Sequence, residues 1–167
     1  MKKVIFALLL VPFFNAQAQT STLEFDNAEI AQNLITEYVK ALQNGDADTM
    51  NAQLSDNAMI YNLGGAPDSM NVKQHHDYYK NSIANFKHEI SRDLYLPVKV
   101  TDSWNEGEWV LSWGTNTITN KNSGNQTPIP YHTASMVADG KIIAIYYFYD
   151  VMNVMENQGY KLVPPSE

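Results

Sequence analysis

The sequence predicts an α+β domain, with three helices first and a curved antiparallel sheet after them. Three observations predict it. Apolar residues recur at spacings of three and four in the first half, at Ile30, Leu34, Tyr38, Ala41 and Leu42, and again at Val72, His75, Tyr79, Ile83 and Phe86. Strict alternation then takes over, with Trp109, Leu111 and Trp113 on one face and Val110, Ser112 and Gly114 on the other. Finally, Tyr131 to Asp150 reads as two long strands joined at Asp139-Gly140, a pair that tolerates positive φ at both turn positions. The 167 residues carry no internal repeat and no linker, so one domain accommodates them.

The elements follow in order. Lys2 and Lys3, the apolar run Val4 to Phe14 and Ala16-Gln17-Ala18 form the pattern of a signal peptide over residues 1–18. Cleavage after Ala18, export to the periplasm or beyond, and a flexible leader over 19–26 are expected. The domain itself spans 27–158. Asp26 or Asn27 caps the first helix, and Asn44-Gly45 ends it. Asp46 caps a short second helix reaching Leu54. Ser55-Asp56-Asn57 reads as a turn, Ala58 to Leu63 as a strand, and Gly64 to Asp68 as a loop. Asn71 to Phe86 is the third helix. His88 to Val100 reads as a strand interrupted near Pro97, Asn105 to Gly107 as a turn, and Glu108 to Asn120 as a strand. A polar loop over Lys121 to Thr127 leads to the hairpin. Val151 to Gln158 adds a helical turn, and residues 159–167 are a tail.

Composition narrows the functions. Hydrophobic residues at 44% suffice for an ordinary core, and the net charge of −7 disfavours nucleic acid and anionic membrane as partners. Loss of the leader removes Lys2 and Lys3, leaving 9 basic against 18 acidic residues and a charge of −9. There is no cysteine, which excludes disulfides, thiolate catalysis and a cysteine lipid anchor. The sequence contains no glycine-rich phosphate loop and no serine nucleophile elbow. No cofactor is expected.

Two motifs add a resemblance. Tyr38-Val39-Lys40-Ala41-Leu42-Gln43-Asn44-Gly45-Asp46 with Ser55-Asp56-Asn57-Ala58, and Asp139-Gly140-Lys141-Ile142 leading to Tyr149-Asp150, resemble the nuclear transport factor 2-like superfamily. Within it they resemble the SnoaL-like polyketide cyclase and ketosteroid isomerase-like branch. The resemblance implies a cone, in which a bent sheet closes over the helices and leaves a pocket at the wide mouth. It implies a ligand-facing tyrosine at Tyr38, a supporting tyrosine at Tyr79, and His132 where the isomerases place a second oxyanion donor. The isomerase base falls on Asn62, an amide that shuttles no proton, so classical steroid isomerase chemistry is not expected. The acid that SnoaL-like cyclases carry at the end of the last strand falls on Asp150.

Three functional classes therefore stay open. One is a lyase or isomerase type enzyme using His132 and Asp150 for proton transfer while Tyr38 polarises an oxygen. Another is a binding module for a small, largely apolar molecule, with Asn62, His75, Tyr79, Trp113, Tyr147 and Tyr149 lining the pocket. The third is an interaction domain whose sheet face makes a homodimer. His75-His76-Asp77 does not read as a metal site, because adjacent helical residues point about 100° apart.

Overall fold

The computed structural model describes residues 20–64, 68–161 and 163. The leader assigned to export, the centre of the Gly64 to Asp68 loop and most of the tail lie outside the described residues. Among the described residues, eleven elements follow in order. They are β1 (Thr20–Thr22), α1 (Ala28–Gln43), α2 (Ala47–Ala52), β2 (Leu54–Tyr61), β3 (Ser69–Asn71), α3 (Val72–Asn85), β4 (Phe86–Thr101), β5 (Gly107–Asn120), β6 (Gln126–Ala138), β7 (Lys141–Tyr149) and α4 (Val151–Asn157). One seven-stranded sheet runs in the order β1-β4-β5-β6-β7-β2-β3. It is antiparallel except where β2 runs parallel to β7. The expected α+β arrangement of helices packed on a mostly antiparallel sheet is therefore present.

Local chemistry sets the helix ends. Asp46 accepts from the Thr49 backbone N–H at 2.9 Å and starts α2. Asn71 and Gln74 form a reciprocal capping box at the start of α3, each 2.9 Å from the other's backbone nitrogen. Gly45 takes φ +72 between α1 and α2, a conformation that costs glycine nothing. The buried stripe of α1 is Ala31, Ile35, Tyr38 and Leu42, one position on from the expected start, and Ile30 is exposed. These side chains meet Ile60, Ile142 and Ile145 from the sheet, which with Met50 form the best-buried apolar group. Asp139 and Gly140 both adopt positive φ, at 51° and 68°, and close the β6–β7 hairpin as expected.

Several boundaries differ from the sequence reading, each for a visible reason. The polar leader contributes β1, whose backbone pairs with Lys99 to Thr101 of β4. Ser55 to Asn57 belong to β2, where they form an irregularity. Leu54 pairs with Ile142 but Met59 pairs with Ala144, so the turn-forming residues absorb the mismatch. Pro97 does not interrupt β4. It sits opposite Val110 and beyond the reach of β1, so its missing N–H faces no ladder partner. The interruption falls instead between Ser91 and Leu94, where Arg92 takes φ 54. Strand β6 begins at Gln126 and runs through Pro128 and Pro130, which lie past the end of β7.

Candidate functional site

The concave face of the sheet and the helices enclose a cavity of about 200 Å³. Period two decides which strand residues reach it. Ser112, Asn116 and Ile118 of β5, Ile129, Tyr131, Thr133 and Ser135 of β6, and Ile145, Tyr147 and Tyr149 of β7 point in. Ile35, Tyr38 and Val39 of α1 and Tyr78, Tyr79 and Ser82 of α3 complete the opposite wall, and Val154 and Gln158 border it from the α4 end. Among the described residues, no Asp, Glu, Lys or Arg lines this cavity.

Four of the expected site residues meet in one chain of hydrogen bonds. Tyr79 donates to the Tyr147 oxygen at 3.2 Å. The Tyr147 and Tyr38 oxygens lie 2.8 Å apart, and Tyr38 lies 2.7 Å from His75 Nε2. His75 Nδ1 is 3.1 Å from Asn51 Oδ1. An amide oxygen only accepts, so Nδ1 carries the imidazole proton and Nε2 accepts from Tyr38. Tyr38, whose O–H donates to His75, accepts from Tyr147. The whole chain therefore points one way, from Tyr79 through Tyr147 and Tyr38 to His75 and Asn51. His75 is fully buried and its ionisation is held down to about 4 by desolvation, with His76 adding repulsion. Burial holds the Tyr38, Tyr79 and Tyr147 phenols protonated, well above their ordinary range. His75 is thus a neutral structural acceptor, and Tyr38 presents no free proton to a ligand.

A second polar group was not anticipated from the sequence. His88, buried on β4, has Nε2 3.0 Å from Ser82 Oγ, and the Asn116 amide N–H donates to its Nδ1 at 3.1 Å. Burial lowers its pKa as well, so it is neutral. Asn116 Oδ1 and the Tyr131 hydroxyl are buried in the same wall without a partner. The signal was present in the alternation of Phe86, His88 and Ile90, which marks His88 as inward once its face is known.

The remaining expected residues lie elsewhere. His132 faces the outer side of the sheet and corrects the sequence expectation. It is stacked between Trp113 and Phe148, with centroids at 4.9 and 5.5 Å, and its Nδ1–H donates to the Ser112 carbonyl at 3.0 Å. Its neighbours Ala134 and Met136 are apolar because that face is apolar too. Trp113 shares the outer face and does not line the cavity. Asp150 is exposed and caps α4, accepting from the Asn153 backbone N–H at 3.0 Å. Asn62 ends β2 with φ 63, its N–H bonded to the Asp68 carbonyl at 3.1 Å. It serves the turn and lies outside the cavity wall. Tyr149 does line the cavity, and its hydroxyl donates to the Leu63 carbonyl at 2.8 Å. For Asp150→Ala we expect faster amide exchange in α4 alone, with ligand binding and the global unfolding midpoint unchanged. A loss of binding would return Asp150 to the site.

The model of the SnoaL-like domain family matches residues 35–145. The chain belongs to the SnoaL-like domain family. No curated protein matches this SnoaL-like chain by sequence. Solved structures with the nuclear transport factor 2-like fold do resemble it. A LEH-like epoxide hydrolase of M. tuberculosis superposes with a TM-score of 0.61 at 18% identity, covering 77% of this chain and 89% of that one. A nuclear transport factor 2-like protein of Burkholderia xenovorans gives 0.60 at 14% identity over 77% and 95%. A protein of Catenulispora acidiphila with a ketosteroid isomerase-like fold, solved in complex with trimethylamine, gives 0.58 at 13% identity over 78% and 97%. At these identities the likeness concerns the fold of the SnoaL-like domain alone.

Proposed function

We propose that this SnoaL-like protein is exported and binds a small, neutral, largely apolar molecule in the cone cavity. The observation that carries the reading is the lining, which is apolar and aromatic with a few hydroxyl, amide and neutral imidazole groups and no charged side chain among the described residues. A carboxylate or ammonium entering it would lose its hydration without gaining a counter-ion. The leader pattern supports export. Proton transfer by His132 and Asp150, the enzymatic alternative, draws no support from their positions. The experiment is calorimetric titration of the chain from residue 19 onward with naphthalene-sized probes. Naphthalene is expected to bind, and 2-naphthoate to bind at least tenfold more weakly. Equal binding of the two, or binding of the anion alone, contradicts the reading.

A second reading concerns the outer face, and we infer that it joins two copies of the chain. Three rows cross β4, β5, β6 and β7 in register: Leu94, Trp113, His132 and Phe148; Leu96, Leu111, Ala134 and Tyr146; Val98, Trp109, Met136 and Ala144. His132 is the one imidazole in these three rows. Leu94 and Phe148 are 58% and 50% exposed, a cost that a second copy of the same face would remove. Sedimentation equilibrium is expected to show a dimer, and Trp113→Lys with Phe148→Lys a folded monomer. A wild-type monomer at every attainable concentration would overturn this interface.

A further inference from the structure

We propose that the ligand of the cone cavity carries a hydroxyl group, as a neutral alcohol or phenol does, and that Asn116 and Tyr131 select it. The inference rests on the binding reading above and deepens it. It comes from counting donors and acceptors in the wall. The phenol chain is directed outward, so the protons of Tyr79, Tyr147 and Tyr38 are all committed. The Asn116 amide gives a proton to His88 and leaves Oδ1, an acceptor, without a donor. The Tyr131 hydroxyl, in the same wall, has no partner in either direction. A buried polar atom left unpaired is costly, and few persist without a reason.

The two residues are neighbours by register. Gly114 pairs with Tyr131 and Asn116 with Ile129, so Asn116 and Tyr131 stand diagonally across adjacent strands on the inward face. Gly114 makes this possible. A Cβ on it would lie 2.9 Å from the Tyr131 hydroxyl and 3.0 Å from its ring, so the bare glycine lets the phenol lie flat over β5. A ligand carbonyl accepts only, and would pair with Tyr131 while leaving Asn116 Oδ1 orphaned. An ether does the same. A hydroxyl satisfies both, donating to Asn116 Oδ1 and accepting from Tyr131. Burial, with Asp93 nearby, pushes the Tyr131 phenol up to about 12, so it stays a donor throughout the working pH range.

The test uses 2-naphthol, 2-methoxynaphthalene and naphthalene in calorimetric titration of the same chain. Wild type is expected to prefer 2-naphthol over 2-methoxynaphthalene by about three- to tenfold, the range of one net hydrogen bond. Tyr131→Phe removes the orphaned hydroxyl without emptying space. It is expected to erase most of that preference, to weaken 2-naphthol binding more than naphthalene binding, and to keep or raise the thermal midpoint. Equal binding of the naphthol and its ether by wild type, with naphthalene still bound, overturns the hydroxyl inference and leaves the pocket standing. An equal loss of all three probes in Tyr131→Phe assigns that residue to packing and likewise overturns it. No binding of any probe by wild type overturns both readings.

Discussion

Replacing His75 with alanine is expected to lower the stability of the fold by about 4 kcal/mol. Two effects add. The imidazole is fully buried between α1, α2 and α3, so truncation leaves a void among Tyr38, Tyr79 and Asn51. It also withdraws the acceptor at the end of the phenol chain. Tyr38 then holds a buried O–H with no partner, and Asn51 Oδ1 loses its donor. Domains of this size are commonly stable by only about 5–15 kcal/mol, so the variant will be close to unfolding. Urea denaturation of wild type and variant measures the difference. A change under about 1 kcal/mol would show that the chain does not hold the helices to the sheet.

The second large effect is acid destabilisation. In the folded protein His75 ionises only at about 4, against 6.5 for an ordinary histidine. The unfolded chain therefore binds a proton that the folded chain refuses between these values. The contribution is fully present above pH 6.5 and is lost as the pH falls towards about 4. The gap corresponds to about 3 kcal/mol. His88 is shifted in the same direction by burial and steepens the loss. Lowered carboxyl groups such as Asp46 lose their cap bonds only at more acid pH. His75→Gln keeps one donor and one acceptor but cannot titrate. Its stability is expected to vary much less across this window than that of wild type. Parallel profiles for the two would remove His75 as the source.

Much of the fold was legible because local chemistry and global shape agree here. Asp46 and Asp139-Gly140 each act where the sequence places them. Helical spacing also puts Tyr38, His75 and Tyr79 on inward stripes, and of these Tyr38 and Tyr79 line the cavity while His75 does not. What they do there was not legible, because direction along a hydrogen-bond chain depends on which atoms meet. His132 shows a different limit. Alternation separates two faces of a strand but does not say which is inside. In β5 and β6 the inward face carries Ser112, Asn116, Thr133 and Ser135 while the outer face is apolar, so the usual polar-out alternation points the wrong way. His132 with Ala134 and Met136 then reads like core and belongs to the outer face. Conversely His88, Asn116 and Tyr131 sit among lysines, threonines and prolines and read like surface. Their inward aim depends on β4–β5 and β5–β6 register, and on the irregularity at Arg92, which no local signal announces.

We place the meeting of this chain with a small molecule inside the cone, and not on the aromatic outer face. The most direct test is an amide and indole NMR titration with naphthalene. Shifts are expected at the backbone amides of Ser112, Ser135 and Tyr147 and at the His88 ring, with the Trp109 and Trp113 indole signals unmoved. Shifts confined to the Trp113 and Trp109 indoles, with the cavity residues silent, would contradict it and move the site to the face that carries His132.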